Sequence, residues 1–530
     1  MESSISSAPT VILARQTSPE VNQRVIGKRT HTSGELDDFR AIPFGSIPAR
    51  WKHSHVRTNL PSDTFYAIKD GPKCPQLSEP NNSEGGFNAS IPFPSDVTES
   101  KFDCLNLFVV RPSREALIQR GHNPETPLLV FTWVHGGAYG FGACADPISI
   151  KSCLGGSESG LNLGKPFIAV YLNYRAGIFG FAATSAMIEA QNSDEIKGVN
   201  FGLRDQKVGF RWIANNILAF SGDPQRITIA GQSAGGSSTH VHALEAKTNP
   251  STPLFQKAIV QSGAVGCSGS VSLADAEASW DRLCKVLGVS ADDKKSLTLD
   301  FTVDLDPVLV NLGETSSVKP LSGSSPQIEV QLGEVDNEGS LYQRQAESIA
   351  SFERVKEPFY SSNIDPQIVQ FGFPISKAYE YFSSQNHNEK PRPRKTIARR
   401  YKVNFGNPFS DGPSNNLYGV SHHCVDMIYM FNVFPNQLIQ ADLRLKPSEA
   451  TNELLRQSVQ KDWNDFITSD GGQDVDQGVV VRYDEDRVTR LVKASEDNFF
   501  KQQEVRYAFL SKHMPEMRKL VNAFTGMPVF

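Results

Sequence analysis

The first half of the chain alternates short, continuous apolar runs with stretches whose apolar residues recur at helical spacing. Leu128-Leu-Val-Phe-Thr-Trp-Val134 and Phe167-Ile-Ala-Val-Tyr-Leu172 are apolar almost throughout, and Ile227-Thr-Ile-Ala230 is a shorter run of the same kind. Strands buried on both faces read this way, because neither side meets water. Between the last two lies Val208–Ile217, with its apolar residues on one helical face, and after the third a run of small residues leads into Val241-His-Ala-Leu244. This alternation predicts an α/β fold with a large, mostly parallel central sheet flanked by helices. The second half is less regular: Ser270–Lys295 and Arg506–Val521 have helical spacing, and Gln327–Leu332 alternates like a strand. Residues 1–33 are polar, rich in Ser and Thr and without periodicity, which predicts a flexible N-terminal arm followed by a single domain over 34–530.

Composition removes several classes of function. The 530 residues are 39% hydrophobic, enough for a large core, and Lys+Arg 53 against Asp+Glu 58 leaves a net charge of -5. Nucleic-acid binding calls for a basic surface that releases counterions, so no nucleic-acid partner is expected. No apolar run reaches the roughly 18 residues of a membrane span. The N-terminus lacks the basic start and apolar stretch of a secretion signal, so a cytoplasmic location is expected. On that footing the sequons at Asn81 and Asn88 are chance matches. Seven cysteines, an odd number, are not a disulfide scaffold, and none has zinc-like spacing with histidine, so neither metal nor cofactor is expected. The basic cluster Lys390–Lys395 with Arg399 and Arg400 reads as a solvated loop.

The candidate chemistry lies at the ends of the apolar runs. Gly231-Gln232-Ser233-Ala234-Gly235 is a G-x-S-x-G directly after a buried strand and directly before a helix. A nucleophilic serine must sit on a turn sharp enough to lift its hydroxyl from the sheet, and glycines two positions either side let neighbouring backbone approach. The helix that follows aims its N-terminal amides at the place where negative charge forms during acyl transfer. Upstream, at the end of an earlier strand, stands His135-Gly136-Gly137-Ala138-Tyr139-Gly140, a backbone able to offer N–H donors to an oxyanion. The two segments in this order argue for the α/β-hydrolase plan, in which the serine is followed by an acid and then a histidine. Of the C-terminal histidines, His387 lies in a polar stretch and His513 on a helix-like segment, whereas His422-His423 is flanked by apolar sequence and is the candidate base. Glu338 is the candidate acid, with Asp336 as the alternative, because spacing does not separate them.

These pieces resemble the type-B carboxylesterase and lipase family, which includes cholinesterases, over roughly residues 34–530. Further ordered blocks carry the likeness: Phe39–Phe44 with Arg50-Trp51, Asp103-Cys104-Leu105, Asn173-Tyr174-Arg175 with Phe179-Gly180-Phe181, the run Asn200 to Gln206, and Phe220–Pro224. The resemblance implies Ser233 as nucleophile, Glu338 in D-N-E-G-S as orienting acid, and Gly137, Ala138 and Ala234 as oxyanion-hole amides. It favours His423 over His422, because the family's base stands three residues before an acid, here Asp426. The implied activity is hydrolysis of a small-molecule carboxylic ester through an acyl-enzyme; acyl transfer or lactonisation at the same site, or a catalytically silent member, are the alternatives. Three departures stand out: Gln232 replaces the usual Glu, Ala138 replaces the third oxyanion glycine, and Cys284 is out of register for a second disulfide with Cys267. The family's first disulfide maps onto Cys74 and Cys104. The doubled histidine and the lack of a signal are most similar to fungal members.

Overall fold

The computed structural model describes residues 8–14, 22–30, 34–76, 87, 96–192, 194–248, 254–267, 272–288, 328–336, 338, 371–384, 398–410, 417–469 and 478–525. Among these, eleven strands form one sheet. Its central seven run parallel, in the spatial order Val479–Tyr483, Ala398–Val403, Glu329–Val335, Lys257–Gln261, Gly222–Gln232, Leu128–Val134 and Phe167–Leu172. Antiparallel strands extend both sides, Thr489–Lys493 at one and Asn106–Pro112, Leu36–Pro43 and Lys28–Arg29 at the other. Two apolar clusters cover the sheet: Val130, Val134, Ile168, Val170 and Ile229 face one, and Phe131, Trp133, Ala169, Tyr171 and Ala230 face the other. Burial on both faces is the physical reason these strands read as unbroken apolar runs. The expected helix around Val208–Ile217 is Phe201–Asn216, and the small-residue run after Ser233 opens the helix Ala234–Thr248. Among the described residues no helix is long and apolar enough to cross a membrane.

Two sequence expectations need correction. The segment read as a flexible arm contains strands Thr10–Ala14 and Asn22–Ile26, paired antiparallel with each other, the second also pairing with Thr64–Tyr66. Five-residue alternations are enough here, because Val11, Leu13 and Val25 turn inward onto a core that the rest of the chain already builds. Arg399 and Arg400 belong to the strand Ala398–Val403 rather than to a loop. Phe466 and Phe500 lie beneath their guanidinium groups, so the long stems pack in the sheet while the charged heads meet ring faces. Lys390–Lys395 and the sequons at Asn81 and Asn88 lie outside the described residues.

The motif residues Arg175 and Asp205 hold the fold beneath the site. Both are buried, and Arg175 Nε and Nη2 donate to the two Asp205 oxygens at 2.7 and 2.8 Å. Asp205 also accepts from the Ser54 hydroxyl and the Arg175 backbone amide. Removing one partner of such a pair leaves a buried charge uncompensated, which costs about 3–5 kcal/mol. Asp205→Ala is therefore expected to lower the unfolding free energy by about that amount in a urea titration; a change under about 1 kcal/mol contradicts this account.

Candidate active site

The chain passes from Leu128–Val134 to Phe167–Leu172 on one side, then crosses back to place Gly222–Gln232 on the other. In an open parallel sheet such a reversal opens a crevice at the carboxyl ends of the two central strands. The His135-Gly136-Gly137 turn leaves one of these strands and Ser233 leaves the other.

Ser233 has φ 58°, the left-handed conformation that a tight strand-to-helix turn imposes. A non-glycine residue there carries strain of order 1–3 kcal/mol, sustained by the packing around it. The Ser233 amide donates to Gln261 O at 2.9 Å, and its carbonyl accepts from Ser237 N at 2.9 Å. A Cβ on Gly231 would drive into the backbone of Gly235, and one on Gly235 into the carbonyl of Val134. The two flanking glycines of the motif are thus required by close backbone approach.

The oxyanion candidates converge from two elements. Gly137, Ala138 and Tyr139 have φ of 98°, 50° and 60°, so three successive residues of the turn lie in the left-handed region. Among the described residues the amides of Gly137 and Ala138 make no backbone hydrogen bond. Ala234 is the first residue of its helix, where amides have no intrahelical acceptor. A Cβ on Gly136 would lie 3.2 Å from the Ser233 Cβ, which places this turn directly beside the serine. Tyr174 fastens it, its hydroxyl donating to His135 O at 2.9 Å and its ring stacking on the His135 ring at 4.2 Å. Burial lowers the His135 pKa to about 4, so that ring is neutral near pH 7.

The candidate acid and the candidate base meet in a buried pair. Glu338 follows the strand Glu329–Val335; its Oε1 accepts from Val335 N at 2.9 Å and its Oε2 bonds to His423 Nδ1. An ionised carboxylate only accepts, so Nδ1 carries the proton and Nε2 of the neutral ring is left with its lone pair. Burial by itself lowers the His423 pKa, but Cys424 and Glu338 outweigh it and hold the ring well above the ordinary imidazole value. Burial also raises the Cys424 pKa.

His422 is built into the backbone instead. Its Nδ1 lies 2.6 Å from His423 O and its Nε2 3.0 Å from Asn407 Nδ2, so one nitrogen donates and the other accepts. Burial lowers its pKa to about 4, and Phe87 packs against the ring. Asp336 is half exposed and pairs with Lys402 at 3.6 Å. The structure therefore brings His423 to Glu338, and neither His422 nor Asp336 takes part in that pair. His513 stacks on Phe509 at a kink in the C-terminal helix, and His387 lies outside the described residues.

Three residues around His423 and its partners carried no signal of their contact in the sequence. Gln232 Nε2 lies 2.9 Å from His423 Nε2, while the Ser233 hydroxyl forms no hydrogen bond among the described residues. Phe371 packs its ring 5.1 Å from His423. Gln261 Nε2 donates to Asp426 Oδ2 at 3.0 Å, behind the Glu338–His423 pair. Burial and the nearby Glu338 charge raise the Asp426 pKa to about 6. Asp426 served in the sequence only as a spacing mark for the base; its burial comes from the helix Val425–Met430 packing inward.

All seven cysteines are buried free thiols. Cys74 and Cys104, onto which the resemblance maps the family's first disulfide, are not joined in this structure. Cys267 and Cys284 are likewise unbonded.

Residues 17–303 match the sequence profile of the carboxylesterase family. The chain belongs to that family. Its carboxylesterase-family relatives include lipase 2 of Geotrichum candidum, 29% identical over 344 residues, which covers 60% of this chain and 56% of the relative. Lipase 5 of Diutina rugosa is 32% identical, over 55% of this chain and 51% of the relative. Para-nitrobenzyl esterase of Bacillus subtilis (strain 168) is 31% identical, over 49% and 46%. The chain spans about half the length of the curated relatives it matches. Among solved structures, a PNB esterase superposes with a TM-score of 0.61 at 22% identity, covering 93% of this chain and 99% of the other. Juvenile hormone esterase from Manduca sexta does so with 0.64 at 17% identity, covering 95% and 100%. These likenesses give the carboxylesterase-family chain the α/β-hydrolase fold that its strand order shows.

Proposed function

We propose that this protein is a serine hydrolase that cleaves small-molecule carboxylic esters through an acyl-enzyme. The observation that carries the reading is the buried Glu338–His423 pair gathered at the strand ends where Ser233 stands on a left-handed turn. In this scheme His423 Nε2 takes the proton from Ser233, whose oxygen attacks the ester carbonyl. The amides of Gly137, Ala138 and Ala234 hold the oxyanion, and His423 returns the proton to the departing alcohol. Water then attacks the acyl-enzyme by the same route and releases the acid. Glu338 fixes the tautomer of the ring and stabilises its charged form, without taking the proton itself. That its relatives are lipases and esterases by name supports an ester as substrate.

The test is a fluorophosphonate probe together with a series of p-nitrophenyl esters of increasing acyl length. The expected result is one adduct, on Ser233, and ester turnover that the adduct abolishes. Because only the neutral ring can accept the proton, activity should vanish as pH falls through the His423 pKa. That pKa is raised, so the rising limb of kcat/KM should have its midpoint above the ordinary value of 6.5. Absence of an adduct on the folded protein rejects the hydrolase reading, and labelling without turnover of any ester redirects it to another acyl acceptor.

A further inference from the structure

The proposal starts from the residue before the nucleophile. Gln232 is the last residue of its strand, buried, with its side chain lodged between the base and the oxyanion turn. On one side its Nε2 reaches His423 Nε2 at 2.9 Å. On the other its Oε1 would lie 3.2 Å from a Cβ placed on Gly136. Because Glu338 requires the proton on Nδ1, the neutral ring, the form present above its pKa, presents a single in-plane lone pair at Nε2, and the only Gln232 atom that can bond to it is an amide N–H. That lone pair is the one the proposed mechanism needs for the Ser233 proton. It cannot serve both donors at once, and the Ser233 hydroxyl has no hydrogen bond among the described residues.

We propose that Gln232 caps the base in the resting enzyme: its amide occupies Nε2 of His423, and turnover requires this hydrogen bond to be exchanged for one from Ser233. Gln232 is then a positioning residue that sets the availability of the base. No bond other than hydrogen bonds changes in this step, and the proton moves only afterwards, from Ser233 to Nε2. The inference rests on the reading of Ser233 and His423 as nucleophile and base. The titratable groups around the ring are Glu338, Cys424, His422 and Asp426, and a change at Gln232 removes none of them.

Two variants of the full chain test it, read by the second-order rate of fluorophosphonate labelling as a function of pH. Gln232→Met keeps the volume and removes the donor. Its pH-independent plateau should rise about fivefold, the weight of one net hydrogen bond, because Ser233 no longer competes for the lone pair. Gln232→Glu keeps the shape and turns an acceptor toward Nε2, which favours the charged ring. Its rising limb should move to higher pH by about one unit or more. A Met plateau at or below the wild-type value, or a Glu limb that coincides with wild type, overturns the proposal. Gln232→Glu differs by one group and carries the test alone if the Met variant does not fold, as judged by circular dichroism. Ser233→Ala and His423→Ala are run alongside. Labelling that survives both sinks the underlying reading and the inference with it, whereas labelling lost in both with unshifted Gln232 variants sinks the inference alone.

Discussion

Ser233→Ala is expected to reduce kcat for a p-nitrophenyl ester by about six orders of magnitude, with the fold intact. The size follows from what one oxygen does in the proposed scheme. Without it there is no acyl-enzyme, and water must attack the ester directly. The amides of Gly137, Ala138 and Ala234 would remain, so a residual acceleration of about three orders over the uncatalysed reaction should persist. The hydroxyl makes no hydrogen bond among the described residues, so its removal should leave the melting temperature within a few degrees of wild type. Stopped assays at high enzyme concentration, with mass spectrometry for the acyl adduct, read both quantities. Turnover near the wild-type rate would place the nucleophile elsewhere.

The second large effect separates the paired histidines. His423→Ala should cost about as much as the serine change, since residues that act as one unit fail together. His422→Ala should cost at most about a hundredfold, the scale of a misplaced group rather than a missing one. The reason is geometric: the His422 nitrogens are engaged by His423 O and Asn407, so its ring holds the backbone of the base. Adding imidazole to each variant sharpens the comparison, because a missing base can be replaced by a diffusing one and a misplaced one cannot. The opposite order of losses would assign the base to His422.

Much of this site was legible because its signals are local. Three apolar runs marked strands of the parallel sheet, and the Gly231–Gly235 motif marked the turn, since backbone strain and close approach act within a few residues. The short N-terminal strands went unread because Val11, Leu13 and Val25 are few, and their burial depends on a core supplied by the rest of the chain. Arg399 and Arg400 read as solvated for a related reason: charge is visible in a sequence, but the ring faces of Phe466 and Phe500 that cover it are not.

By itself the sequence determined the α/β layering, the serine on its turn and the glycine turn beside it. Each of these follows from the chemistry of neighbouring residues, whose periodicity and backbone freedom need no distant partner. Only the tertiary structure decided that His423 rather than His422 meets Glu338, across 85 positions, and that Gln232 reaches the same ring across 191. Such contacts depend on how separate loops dock at the strand ends. A two-residue choice between adjacent histidines turns on side-chain direction, which the fold sets and spacing does not.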